Sequence, residues 1–206
     1  MAKEGIKFVV TALAGAILLL LLRMPIFSPV FAALLFILAG YFAFFFRDPV
    51  RQVTAALDEI VSPVDGRILD IDRADGRQRL IVFLSIFDVH IVRLPLAGVL
   101  TRLDYFKGQF LPAYREKASE LNERVTLEVN HPRSPYTLRL IAGIAARRIK
   151  MWVNEGAELQ TGQKIGIMMF GSRAEIILPP GIQFQVKKNE KLTGGVTLIA
   201  TLPKSR

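Results

Sequence analysis

The sequence contains no cysteine and only two histidines, at positions 90 and 131. The first absence excludes a disulfide framework, thiolate metal ligation and a cysteine nucleophile. The second argues against a histidine-rich zinc site, and no metal is expected. Long βαβ alternation and a GxGxxG loop are also missing, which removes the common dinucleotide-binding folds. Charge is scarce at one end only. Residues 1–46 hold just Lys3, Lys7, Arg23 and Glu4. Taking those three cations and one anion from the net charge of +9 leaves +7 for the rest of the 206 residues. A basic globular part fits an anionic partner, either nucleic acid or an anionic membrane surface. A nucleic-acid partner is not expected, because the chain has neither a basic helix nor an aromatic RNA-binding motif.

What fills the charge-poor end is two apolar runs. Residues 6–22 carry a single charge, Lys7 near their start, and would span about 26 Å as a helix, slightly less than a hydrocarbon core of about 30 Å. Arg23 interrupts, and residues 25–46 form a second run, uncharged and closed by Arg47. A cleaved signal peptide would be followed by polar sequence; here a second apolar run follows instead. The expected arrangement is a transmembrane helical hairpin over 1–46, with a single span and a short lead-in as the other option. A globular domain over 47–206 would follow. Lys3, Lys7, Arg47 and Arg51 flank the hairpin's two ends, so both ends, and the globular domain, are expected on the cytoplasmic face of the cell membrane. Tyr41, Phe42, Phe44, Phe45 and Phe46 crowd the exit of the second run, as interfacial anchors do.

Beyond residue 50 the pattern turns to strands. Val125, Leu127 and Val129 alternate with polar residues, and so do Phe184 and Val186. Asp75-Gly76 between "RILDIDRA" and "RQRLIVFL" signals a two-residue hairpin. Residues 80–92 read as one buried strand, and 112–122 as the single soluble helix. The expected class is mostly β (α+β). "NEGAELQTGQKIGIMM" resembles the turns of lipoyl and biotinyl domains, which implies barrel-sandwich features. The lysine those domains modify is absent, so a carrier role is not expected.

Three short stretches contain residues able to do chemistry. "SPVDG" puts Asp65 in a Pro/Gly turn, where an aspartate usually just caps the turn. "IFDVHIVRLP" puts His90 in an apolar run, where a histidine is usually a core residue. "FGSR" puts Ser172 after Gly171, ordinarily a plain turn. Together they supply the residue types of an activated nucleophile: a hydroxyl, a base and a group that orients the base. His131, in "NHPRSP", reads as a surface residue.

The stretches "SPVDG", "FLSIFDVHIVRLP", "ASELNERVTLEV", "IAGIAARRI" and "FGSRAEIILP" occur in the order seen in the phosphatidylserine decarboxylase family, and most resemble its short, archaeal-type branch. The resemblance covers nearly all of residues 45–200. It implies self-cleavage between Gly171 and Ser172, giving chains 1–171 and 172–206, with Ser172 converted to a covalent pyruvoyl group and no metal needed. That group would take the substrate amine as a Schiff base, and phosphatidylserine or archaetidylserine would lose CO2. By the same resemblance Asp65 matches an acidic residue of self-cleavage and His90 the decarboxylation histidine. Arg93 stands where larger members carry a second histidine. Either His90 does both jobs, or Asp65 acts on Ser172 more directly. Arg93, Arg147, Arg148, Arg173 and Lys107 are the candidate contacts for lipid phosphate or carboxylate, and the loop around Lys107 a candidate lid. Related enzymes imply a homodimer. The competing reading is a membrane-tethered lipoyl-like adaptor without chemistry.

Overall fold

The computed structural model describes residues 1–22, 27–74, 76–109, 121–143, 148–169 and 172–203. In a first unit, Met1–Val50, two helices follow the two apolar runs: α1 over Lys3–Leu21 and α2 over Phe27–Phe45. Both are long and apolar enough to cross a membrane. They meet through small residues. Ala12, Ala16, Ala32 and Ala39 are buried, and a Cβ on Gly5 would lie 2.4 Å from Phe46 Cβ. Larger side chains such as Val10, Leu18, Leu34 and Ile37 face outward. Small residues inside and large apolar ones outside is how helices associate in lipid, where close backbone approach replaces the hydrophobic drive. Arg23 lies outside the described residues.

The second unit, Arg51–Arg206, is built of strands. In chain order these are β1 (Glu59–Val61), β2 (Gly66–Ala74), β3 (Arg77–Leu84), β4 (Ile91–Arg93), β5 (Gly98–Phe106), β6 (Arg124–Asn130) and β7 (Tyr136–Ala142). Then follow β8 (Arg148–Met151), β9 (Glu158–Leu159), β10 (Lys164–Met169), β11 (Ser172–Leu178), β12 (Lys191–Leu192) and β13 (Leu198–Thr201). Eight form a curled sheet in the order β12-β2-β3-β11-β7-β6-β5-β9. A three-stranded sheet has the order β4-β10-β8, and β1 pairs with β13. The class is therefore mostly β, preceded by two apolar helices. The core gathers one face of each strand, including Val82, Leu140, Val125, Ala174 and Ile176.

β2 and β3 form the expected hairpin, with Ala74 opposite Arg77. Gly76 has φ of +74°, which glycine adopts without strain, while Asp75 lies outside the described residues. β6 alternates as read: Val125, Leu127 and Val129 are buried. Residues 80–92 are not one strand. β3 ends at Leu84, where Asp88 accepts hydrogen bonds from both Ser85 N–H and Ser85 Oγ, tying a turn that an apolar tally cannot reveal. Phe184 forms only an isolated bridge to Ala200. The segment keeps its alternating burial, but a turn at Lys187–Glu190 stops the ladder. The lipoyl-like stretch, residues 154–169, forms β9 and β10, with turns at Gly156 and Gly162, both at positive φ. The predicted helix falls largely on 110–120, outside the described residues.

Candidate active site

Sheet register assembles the site. Arg67, Phe83, Arg173, Ile141, Arg124 and Phe106 pair in sequence across six strands, from β2 to β5. One step beyond that row, at the same end of the sheet, Ser172 pairs with Leu84 on β3 and Ala142 on β7. Antiparallel pairing brings Asp65, the 85–90 turn, Glu123 and Lys107 to this end as well. Neighbouring strands are about 4.8 Å apart, so the start of β2 lies about 10 Å from Ser172. Gly66 makes this approach possible: it has φ of +154°, and a Cβ there would sit 2.2 Å from the Phe83 carbonyl oxygen.

Ser172 is the first residue of β11, reached from β10 by the shortest of links. β10 belongs to the three-stranded sheet and β11 to the eight-stranded one. The chain therefore changes sheets across residues 170–171, which lie outside the described residues together with Gly171's role. Alternation puts Ser172 on the face of Ala174 and Ile176, toward the core. Its side chain is 0% exposed, and Oγ has no hydrogen-bond partner among the described residues. A buried unpaired hydroxyl costs about 1–3 kcal/mol, so its presence calls for a chemical reason.

His90 comes near through β10. Its carbonyl accepts the Met168 N–H at 3.0 Å, four residues before Ser172. The imidazole is buried, and Nδ1 lies 2.9 Å from the Asp88 carbonyl oxygen. A carbonyl can only accept, so Nδ1 carries the hydrogen and Nε2 is the basic nitrogen of the neutral ring. Asp65 is held on another side. Arg51 grips it bidentately, Nη1–Oδ1 at 2.5 Å and Nη2–Oδ2 at 2.7 Å, and the Gly194 N–H donates to Oδ1 at 2.8 Å.

The candidate lipid contacts divide by burial. Arg93 is buried, with Nη1 donating to the Gly162 carbonyl at 2.9 Å. Arg173 is 3% exposed and pairs with the fully buried Glu175 at 2.8 Å, on the sheet face opposite Ser172. Burial pushes its guanidinium below the ordinary arginine value, against the pull of Glu175. Arg79 approaches the same carboxylate at 3.7 Å while gripping Asp72. Lys107 and Arg148 are exposed. Arg148 pairs in register with Met169, the last described residue before the sheet change. Arg147 lies outside the described residues.

Sequence reasoning missed the side chains that organise this end. Asn122 is fully buried, and its Nδ2 donates to the Ala142 carbonyl at 2.7 Å, beside Ser172. It also bridges Gln109, so the loop carrying Lys107 is pinned at its neck. Gly108 permits the closure, since a Cβ would lie 2.4 Å from the Leu121 carbonyl. The Tyr105 hydroxyl donates to Glu123, and burial followed by that bond pushes its pKa up to about 12. The one signal was "ELNERV" itself, where an Asn-Glu pair precedes a strand of alternating apolar residues. His131 is half-buried rather than a plain surface residue, and burial beside Arg133 lowers its pKa. Among the described residues, no cluster of three or more His, Asp or Glu could hold a metal ion.

A profile of the family described as Phosphatidylserine decarboxylase matches residues 38–200. A phosphatidylserine decarboxylase proenzyme of Solibacter usitatus is 35% identical over 196 residues, covering 95% of this chain and 94% of that protein. Proteins with the same description from Salinibacter ruber and Streptomyces griseus are 37% and 40% identical, over 80% and 79% of this chain and 77% and 74% of their own lengths. The profile spans most of the chain and the relatives are matched along most of their lengths: the chain belongs to the phosphatidylserine decarboxylase family.

Proposed function

We propose that this chain is a proenzyme that cuts itself between Gly171 and Ser172 and then removes CO2 from the serine headgroup of a phospholipid, phosphatidylserine or its ether-linked counterpart archaetidylserine. The observation that carries the proposal is the buried Ser172 Oγ, unpartnered among the described residues, at the point where the chain passes from one sheet to another. In self-cleavage, Oγ adds to the Gly171 carbonyl and the amide becomes an ester. Loss of the residue-171 carboxylate leaves dehydroalanine at 172. Water converts that to a ketone and ammonia. The result is a pyruvoyl group at the start of 172–206.

The surroundings of Ser172 fit such a group. Leu84 and Ala142 flank it and are fully buried, which excludes water from a reactive ketone. When formed, the group supplies a carbonyl conjugated with an amide, which draws off the electron pair released as CO2 leaves. His90 Nε2 takes the Ser172 hydroxyl proton during cleavage and later holds the proton delivered to the substrate's α-carbon. The bond from Nδ1–H to Asp88 fixes the ring for both tasks. Lys107, which follows β5, and Arg148, opposite Met169 on β8, are exposed and take the lipid phosphate, with Arg147 next to Arg148 in sequence. Arg93 and Arg173 organise the protein side, because each already holds a buried protein oxygen. The helices anchor the chain at the bilayer, which a diacyl substrate does not readily leave, and residues 47–206 work on the cytoplasmic face. The homodimer belongs to the same reading.

The test is CO2 release from phosphatidylserine vesicles by the detergent-solubilised full chain. The wild type yields two chains and evolves CO2, and Ser172→Ala yields one chain and none. CO2 evolution by Ser172→Ala at the wild-type rate would overturn the proposal.

A further inference from the structure

Arg51 was read from the sequence only as a positive charge following an apolar run. In the structure its side chain is 9% exposed and that of Asp65 14%, and the two form a two-point pair. The same Nη1 also donates to the Gly194 carbonyl at 2.5 Å, while the Gly194 N–H donates back to Asp65 Oδ1. One guanidinium, one carboxylate and the backbone of one glycine thus close a ring of hydrogen bonds. The turn carrying Gly194 is pressed onto the "SPVDG" turn. A Cβ on Gly194 would lie 2.9 Å from the Val64 carbonyl carbon, Gly195 N–H donates to the Ser62 carbonyl at 2.7 Å, and Ser62 N–H donates to the Thr197 carbonyl at 2.8 Å. Arg93 passes beneath, with its Cδ 2.7 Å from where a Gly195 Cβ would be.

We propose that Arg51 is a positioning residue for Asp65: its fork holds the carboxylate in one orientation for self-cleavage, and holds it against the turn of the segment that becomes the second chain. This rests on the proposed cleavage at Ser172 and on the role assigned to Asp65. The chemistry is specific to arginine. A planar fork fixes both carboxylate oxygens at once; a lysine supplies only a point charge. The ring also crosses the cut. Arg51 and Asp65 lie in 1–171 and Gly194 in 172–206, so the clamp persists between the two chains after cleavage. A desolvated ion pair is a weak source of stability, which makes orientation of Asp65 the better account of its retention here.

The test follows self-cleavage of the full chain after a synthesis pulse, with Arg51→Lys, Arg51→Met, Asp65→Asn and the Arg51→Met/Asp65→Asn double variant, and thermal melts in parallel. Losing a charge-assisted bidentate contact is expected to slow cleavage about tenfold or more in Arg51→Met. Arg51→Lys should cleave more slowly than wild type with an unchanged melt, so the proposal stays testable if Arg51→Met does not fold. The double variant should cleave no more slowly than Asp65→Asn alone, because Arg51 acts through Asp65. Wild-type cleavage in Arg51→Lys, or losses that multiply in the double variant, would overturn the proposal. Ser172→Ala in the same series isolates the parent reading: fragments appearing there would remove the cleavage site itself, whatever Arg51 does.

Discussion

Ser172, the proposed point of self-cleavage, is held at a cost to stability. Its hydroxyl is buried between Leu84 and Ala142 with no partner among the described residues. Ser172→Ala should therefore abolish cleavage and melt at or above the midpoint of the uncleaved Ser172 precursor; a clear drop below the precursor's midpoint would show that the hydroxyl is structural. His90 makes a sharper point, since only its Nε2 is basic once Nδ1–H is tied to Asp88. His90→Ala should block cleavage as well as decarboxylation. A variant that cleaves fully but releases no CO2 would assign the serine's base to another group. Ser172, His90 and Asp65 can be proposed from the sequence because each sits in a short motif of the resembled family. Arg51, Asn122 and Glu175 cannot. Asp65 and Ala142, the partners of Arg51 and Asn122, lie apart from them in sequence, and Glu175 meets Arg79 as well as its near neighbour Arg173, so pairing in space is needed to bring these groups together.

β11 shows what a strand's two faces can do at once. Alternate residues send Ser172, Ala174 and Ile176 into the core and Arg173 and Glu175 to the other face, where both are nonetheless buried. Glu175→Gln would leave Arg173 and Arg79 facing each other without the anion between them. Breaking such a buried pair costs about 3–5 kcal/mol, to be read from denaturant midpoints; an unchanged midpoint would show that the ion pairs carry no stability. An apolar count across "SRAEIIL" reads it as a strand but cannot tell which face is charged, since all seven residues are buried. The same blindness joined β3 to β4 over residues 80–92, because the stop is a hydrogen-bonded Ser85–Asp88 turn rather than a proline or glycine. The hairpin of β2 and β3 and the strand β6 were legible because turn chemistry and strict alternation are local properties.

The chain as a whole couples two apolar helices to a basic β unit. The helices were legible from length and lack of charge alone, but the joining of a three-stranded to an eight-stranded sheet was not, because it depends on long-range pairing. The absence of cysteine makes the orientation directly testable. Lys191, exposed on β12, can be replaced by cysteine as the single thiol of the protein. In intact cells a membrane-impermeant maleimide should leave that thiol unlabelled, and should label it once the membrane is opened; labelling in intact cells would put the β unit on the outer face. The most direct test of the central claim is the mass of the small chain from purified wild-type protein. The expected result is a 172–206 fragment lighter by one ammonia than the same peptide starting with free serine, and trapped by hydroxylamine. An intact 206-residue chain that still releases CO2, or a fragment beginning with an unmodified serine, would contradict it.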